Sequence, residues 1–598
     1  MVIGEFTKRG IIPLSFNHGM RKRYVVILVI LVTLGIYYPS IFGELSTVDD
    51  QLLVNSLINQ NSIGLKSLFL RHSCYYYRPI VNLTFRFDSR SFFCQPELMH
   101  FVNILIHMLN VLLFFFLCTL VLKEKKNRVQ EDVFCLPLLT SLFFAIHPLT
   151  TEPVNWISGR TDLLACLFCL ISFSIFSFSS KKSRWWIDTI AAFFFLLGLL
   201  SKEVAISLFA VVVFSTFWKG LPSYTKSLQQ RVVRIIPFFI FTIVYVWMRT
   251  GFHFSRDSGI KSAIKGAHGA AQIPYWSKIG SLIKALGFYA KKIIWPFPLN
   301  FAIVSINRPL CFILGILTLV GVIYLLWKRE GKIRFFLLWS FLFIVPALPV
   351  AINRMAWTPL AERYLYLPLI GFSIAVGLTI TRYPRQSVII PFILILFGFG
   401  IVTTKRNIVW QRNLTLFADT VKKSPNFALA HNEYASALLR EGKIDEARRE
   451  YEIAAKLSGK GSAKALAAVN LAAVDNSTGV SETLEELIRS VKEKKLRLRL
   501  MRKLARDINR KILKTDNEAE RNELLRMSVL IFEELRKLDK DPFILYRLGQ
   551  LYLAQGEKQK AQLYFGQACK KSNDYYTEPA CKLYNKLSGE LAESGQSR

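Results

Sequence analysis

Residues 99–122 read MHFVNILIHMLNVLLFFFLCTLVL, a run of 24 without a single Asp, Glu, Lys or Arg. As an α-helix it is roughly 36 Å long, enough to cross a hydrocarbon layer of about 30 Å. Lipid offers no hydrogen bonds to open backbone, so a helix is the form such a segment takes. His100, Asn103, His107 and Asn110 are spaced three, four and three apart, on one helical face. We read them as hydrogen-bonding to neighbouring helices rather than binding metal. Similar blocks recur at 24–42, 133–150, 163–179, 185–200, 204–218, 232–247, 310–327, 335–350, 364–380 and 388–403, and then stop. The expected fold is all-α: a polytopic membrane helical bundle of about eleven spans followed by a different, water-facing region.

Composition agrees. Over 598 residues, 52% are hydrophobic, 47 are Phe and only 20% are charged, which excludes both a disordered chain and a soluble enzyme. The formal charge of +35 would point to nucleic acid in a soluble protein. Here the basic residues gather in short loops at 21–23, 123–128, 181–184, 219–234, 328–334 and 382–385, alternate connections that the positive-inside rule assigns to the cytoplasm. Residues 273–299 are amphipathic and carry Lys278, Lys284, Lys291 and Lys292, so they are expected to lie on the membrane surface; spanning would put 328–334 on the wrong side. The expected layout is a cytoplasmic segment 1–23, a catalytic membrane domain 24–404 with a first outer loop 43–98, and an extracytoplasmic domain 408–598. The first apolar block has no cleavage site after it and reads as a retained span. The nine cysteines show no metal spacing. Cys118, Cys135, Cys166, Cys169 and Cys311 read as small apolar residues of the spans. Cys74 with Cys94, and Cys569 with Cys581, are disulfide candidates if their regions face an oxidising compartment.

The tail repeats itself. Residues 425–457 (PNFALAHNEYASALLREGKIDEARREYEIAAKL) and 541–570 (DPFILYRLGQLYLAQGEKQKAQLYFGQACK) align with Tyr434/Leu548, Ala435/Gly549, Leu438/Tyr552, Ala447/Ala561, Tyr451/Phe565 and Ala454/Ala568 in register. These are tetratricopeptide (TPR) positions, small residues admitting a second helix and aromatics filling the gap. Four or five helix pairs are expected, in a solenoid whose concave face takes extended peptide.

Polar residues interrupt the membrane half on one predicted face. The first outer loop carries Glu44, Asp49 and Asp50, then Arg78. The stretch HPLTTEPVNWISGRTD supplies His147, Glu152, Asn155, Arg160 and Asp162; LLSKEVA supplies Lys202 and Glu203; NRMAWTPLAERYLYLP supplies Arg354, Glu362 and Arg363. Each has a plain structural alternative, such as a solvated loop or a snorkelling helix end. Their convergence points instead to a polar cavity.

In this order, DD after the first span, YYRPIVNLTF, HPLTTEPVNWISGRTDLL, LLSKEVA, LAERYLYLPLIG and the TPR tail resemble the transmembrane-and-TPR O-mannosyltransferase family, polyprenyl-phosphate-sugar-dependent enzymes of the C-type membrane glycosyltransferase fold. The resemblance begins near Arg21, and Met20 reads as a natural start. The compact loops look bacterial, implying an undecaprenyl-phosphate sugar, an inner (plasma) membrane location and a periplasmic TPR domain; a eukaryotic member would sit in the ER membrane with that domain lumenal. The resemblance implies Asp50 or Asp49 as the base that takes the acceptor hydroxyl's proton, with Asp50 slightly favoured, and inversion at the anomeric carbon. Arg160, Lys202, Arg363 and Arg78 would hold the donor phosphate, with His147, Glu152, Asn155, Glu203 and Glu362 lining the site. No metal and no cofactor are expected. The expected partners are the lipid-linked monosaccharide, membrane lipid and an acceptor polypeptide held by the TPR groove, and not nucleic acid. The alternatives are the same chemistry on a lipid or envelope glycan, or a non-enzymatic TPR scaffold.

Overall fold

The computed structural model describes residues 18–51, 53–54, 68–69, 77–121, 135–179, 185–225, 227–250, 275–304, 306–328, 331–353, 358–382, 386–458, 462–474, 484–485, 488, 491, 494–539, 541–570 and 576–596. The chain divides between Asp419 and Thr420 into two compact units.

The first unit is a multi-pass membrane bundle. Its helices are α1 (His18–Tyr37), α2 (Pro79–Phe92), α3 (Pro96–Val121), α4 (Cys135–Ile146), α5 (Arg160–Ser179), α6 (Trp185–Ser201), α7 (Ser207–Phe217), α8 (Leu228–Thr250), α9 (Tyr275–Ile294), α10 (Arg308–Lys328), α11 (Lys332–Ile344), α12 (Tyr366–Arg382) and α13 (Gln386–Gln411). Every predicted span falls on one of these. Among the described residues eight helices are long and apolar enough to cross a membrane, and α4, α6 and α7 are shorter apolar helices. Exposed Ile313, Leu317, Val320 and Ile323 on α10, and Leu394 and Phe397 on α13, give faces suited to lipid.

Helix α3 is the hub, and three of the four residues on its polar stripe, Asn103, His107 and Asn110, hydrogen-bond to neighbouring segments as the spacing predicts, while among the described residues the buried His100 ring does not. Asn103 Nδ2 donates to Trp156 O at 3.1 Å. His107 bridges Tyr366 OH at 2.7 Å and Ala145 O at 3.1 Å, and Asn110 Nδ2 donates to Leu163 O at 3.0 Å. Four elements are thereby fixed to α3 by buried hydrogen bonds, which are costly to leave unmade in an apolar medium. Tyr37, Phe144 and Tyr366 fill the space around the His107 imidazole. At one end of the bundle α1 is tied to α13: Asn407 Nδ2 donates to Ile36 O at 2.8 Å, and Gln411 Nε2 to Pro39 O at 2.6 Å.

The amphipathic segment forms α9, which crosses α10 closely. A Cβ on Gly287 would come within 1.8 Å of the Cys311 carbonyl. Trp276 and Trp295 are exposed at its two ends. The first outer loop, by contrast, is not all loop. Residues 79–92 form α2, entered through Pro79 and ended by left-handed Phe93.

The second unit is a TPR solenoid of α14 (Ala428–Arg440), α15 (Ile444–Leu457), α16 (Ser462–Val474), α17 (Lys494–Ile512), α18 (Glu518–Leu538), α19 (Pro542–Ala554), α20 (Lys558–Cys569) and α21 (Thr577–Gln596). The aligned repeats are the hairpins α14/α15 and α19/α20. Both turn at a left-handed glycine, Gly442 at φ 78° and Gly556 at φ 82°. Gly549 faces the Phe565 ring so closely that a Cβ would sit 2.7 Å from it. A disulfide joins Cys569 and Cys581, Cα atoms 4.8 Å apart, and staples α20 to α21. Cys74 lies outside the described residues; Cys94 is buried.

Candidate active site

The acidic pair follows the 3-10 turn Tyr38–Phe42 that closes the first span. Asp50 is 1% exposed, and both its oxygens are engaged. Oδ1 accepts from Ser158 N at 2.9 Å and Ser158 Oγ at 2.5 Å, and Oδ2 accepts from Ser46 N at 3.2 Å. Burial raises its carboxyl to about 7, while the bonds from Ser158 and Ser46 pull it down. Asp49 is exposed and stands at φ 71°, a left-handed backbone that costs an L-residue about 1 kcal/mol or more. Strain of this kind persists where the surroundings over-determine it, and Asp50 supplies the anchor.

Trp156 links this loop to the basic side chains. Its Nε1 donates to Val48 O at 3.1 Å, and the Arg363 guanidinium lies 4.8 Å from its ring centroid. Arg363 is held by Glu152, Nη1 to Oε1 at 2.5 Å and backbone N to Oε2 at 2.9 Å. Burial lifts the Glu152 carboxyl, and Arg363 opposes that rise. Lys202 Nζ sits 2.6 Å from each oxygen of Asp162 and 5.3 Å from the Tyr364 ring. Arg78 and Arg363 are both near enough to act on its charge.

The most open part of the cluster is Glu203, whose side chain is 32% exposed. Arg78 reaches it at 3.2 Å and Arg249 at 2.9 Å, with side-chain exposures of 21% and 19%. Arg249 Nη1 also donates to Tyr245 OH at 2.5 Å. Two guanidinium groups on one carboxylate leave net positive charge where an anion can enter, and their fork geometry suits phosphate.

Four expected site residues are placed elsewhere. Arg160 is fully buried and braced: Nε donates to Asn103 Oδ1 at 2.8 Å, Nη1 to Asp88 Oδ2 at 2.5 Å and Nη2 to Met99 O at 3.0 Å. It locks α2, α3 and α5 together, and its complete burial keeps it from an incoming phosphate. Glu362 is buried against Lys292, at 2.5 Å, and the Asn300 amide. His147 caps a turn, its Nδ1 accepting from Leu149 N at 3.3 Å. Asn155 Nδ2 donates to Asn407 Oδ1 at 2.7 Å, a tie between helices. Glu152 is buried too and acts by holding Arg363. Arg354 lies outside the described residues. Among the described residues, no group of three or more His, Cys, Asp or Glu is arranged to hold a metal.

No protein-family model matches the chain. Curated relatives do. The chain is 26% identical over 440 residues to protein O-mannosyl-transferase TMTC1 of Homo sapiens, covering 64% of this chain and 48% of that protein. It is 23% identical over 475 residues to the human TMTC3 protein O-mannosyl-transferase, covering 71% and 50%. The chain is similar to the TMTC O-mannosyl-transferases. It spans about half the length of the curated relatives it matches. Among solved structures, yeast Tom70 is similar at 14% identity over 76% of this chain and 92% of that chain, with a TM-score of 0.17, too low to speak for the fold.

The residue of the cluster that sequence reasoning missed is Arg249. It ends an apolar helix, and a lone Arg there reads as an ordinary interfacial anchor. The available signal was its position, at the end of α8 that the alternation of spans puts on the same face as Lys202 and Glu203. Asp88 was missed because α2 was taken for loop.

Proposed function

We propose that this chain is a membrane glycosyltransferase that moves a mannose-like hexose from a polyprenyl-phosphate donor to Ser or Thr hydroxyls of exported polypeptide. The relatives' names supply the sugar and the protein acceptor. The observation that carries the chemistry is an exposed aspartate, anchored by a buried one, on a loop that Trp156 joins to a cationic cluster.

Asp49 is the base. The acceptor hydroxyl oxygen attacks the anomeric carbon, its proton passes to the Asp49 carboxylate, and the carbon–oxygen bond to phosphate breaks on the opposite side, inverting the centre. The polyprenyl phosphate leaves with its electron pair, and Arg78 and Arg249 meet the developing charge, with Lys202 and Arg363 behind them. Asp50 positions Asp49. The mechanism uses no metal, because arginines supply the charge that the leaving group needs.

The same reading places this face and the TPR unit outside the cytoplasm, in the periplasm or, in a eukaryote, the ER lumen. The alternating loop charges support it, as does the Cys569–Cys581 disulfide, a bond that persists in oxidising compartments. The test is purified full-length protein with tritiated mannosyl-phosphoryl-polyprenol and a Ser/Thr-rich peptide. Label is expected in the peptide and is released as mannose by β-elimination; label confined to lipid overturns the protein-acceptor reading.

A further inference from the structure

Helix α17 reads KKLRLRLMRKLARDINRKI, nine basic residues against the single acid Asp507. Like charges three and four apart oppose a helix, so helix stability does not account for Arg499, Arg502, Arg506 and Arg510 on one exposed face. Three of the four do something else. Arg499, Arg502 and Arg506 rim a cavity of about 500 Å³, whose floor is made by Phe532, Leu535 and Phe543 of α18 and α19.

Arg502 is committed to Asp539 and Asp541, at 2.8 Å each. These two acids also fix the α18–α19 turn, since Asp541 Oδ1 accepts from Phe543 N at 3.0 Å. Among the described residues Arg499 and Arg506 make no ion pair, and both are exposed. The result is a concave apolar slot flanked by two guanidinium groups a full helical turn or more apart. The volume accommodates one large apolar side chain with its neighbours, at the small end of the range for ligand sites.

We infer that this groove of the TPR unit binds an acidic peptide segment bearing an apolar anchor residue, the anchor seated on Phe532 and Leu535 and flanking carboxylates paired with Arg499 and Arg506. This rests on the reading that the TPR unit handles polypeptide, and it names the chemistry selected. A lipid headgroup layer fits less well, because a planar surface cannot reach an apolar floor that lies below its charged rim. Arginine forks pair with carboxylates in two-pronged geometry, and a desolvated aromatic floor adds the apolar part of the contact.

The experiment uses the full chain in detergent micelles, and the probe is a fluorescein-labelled decapeptide of Asp and Glu around one central Phe. Anisotropy should report binding that weakens as NaCl rises from 50 to 500 mM, since the rim is exposed. A Lys analogue of the peptide should not bind, and replacing its Phe by Ala should weaken binding. The double variant Arg499→Glu with Arg506→Glu should weaken it by about tenfold or more while keeping the helical circular dichroism, because neither side chain holds the fold together. Equal binding of acidic and Lys peptides, unchanged binding in the double variant, or capture of anionic phospholipid vesicles in place of peptide each overturns the inference. Binding is read without sugar transfer. The probe carries no Ser or Thr, so binding here together with failed transfer to the Ser/Thr-rich peptide leaves this groove standing and removes the glycosyltransferase reading instead.

Discussion

Asp49 and Asp50 are identical in chemistry and differ only in what the fold does with them. A carboxylate that must take a proton from an incoming hydroxyl has to reach it, and Asp50, at 1% exposure with three bonds accepted, does not. Its carboxyl is raised to about 7 in the folded protein from an ordinary value near 3.8. The folded state therefore holds the proton more tightly, and this group's contribution to stability falls as pH rises from about 4 to 7. Its ionised form makes the better anchor, since every lone pair it uses is then free to accept. Transfer is expected to rise with pH through about 7, and the Asp50→Asn variant should lose that inflection in a pH–rate profile while keeping measurable activity. The cations separate in the same way. Arg249→Met should raise the dissociation constant for polyprenyl-phosphate sugar with little change in melting temperature. Arg160→Met instead strands buried Asp88, which costs about 3–5 kcal/mol. It should show as lowered thermal stability in detergent before any effect on donor affinity.

At the scale of elements, close contacts say which substitutions fail. Gly549→Leu drives a side chain into the Phe565 ring, and overpacking of this kind costs about 1–3 kcal/mol; circular dichroism melting of the full chain checks it. Reducing Cys569–Cys581, which are 12 residues apart, should lower the α20–α21 hairpin's stability by about 3 kcal/mol on the loop-entropy account. Proteolysis near residue 575 with and without reductant reads that out. The spans and the TPR hairpins were legible beforehand because each has a period the chain repeats: long apolar runs, and small and aromatic residues 114 positions apart in both hairpins, as Ala435/Gly549 and Tyr451/Phe565 show. Helix α2 was not, because its one buried face, carrying Val81, Phe85 and Asp88, is short and mixed in character. The charged residues at the span ends were legible in the sequence, but what each of them pairs with was not. Arg160, Arg363, Arg78 and Arg249 are the same residue type at span ends, and only their partners distinguish a brace from an anion contact.

At the scale of the whole molecule, the proposed orientation puts the charged cluster and the polypeptide acceptor outside the cytoplasm. A reporter that is active only outside the cytoplasm, fused after Arg598, should be active; activity of a cytoplasmic reporter there reverses the orientation. The acidic loop and its neighbouring cations remain the centre. The most direct measurement is single-turnover transfer of tritiated mannose from polyprenyl phosphate to peptide by purified wild-type, Asp49→Asn and Asp50→Asn proteins, with donor affinity measured separately. The account predicts a loss of about 10²–10⁴-fold for Asp49→Asn at unchanged donor affinity, and a smaller loss for Asp50→Asn. Near-normal transfer by Asp49→Asn, or a larger loss in Asp50→Asn, contradicts it.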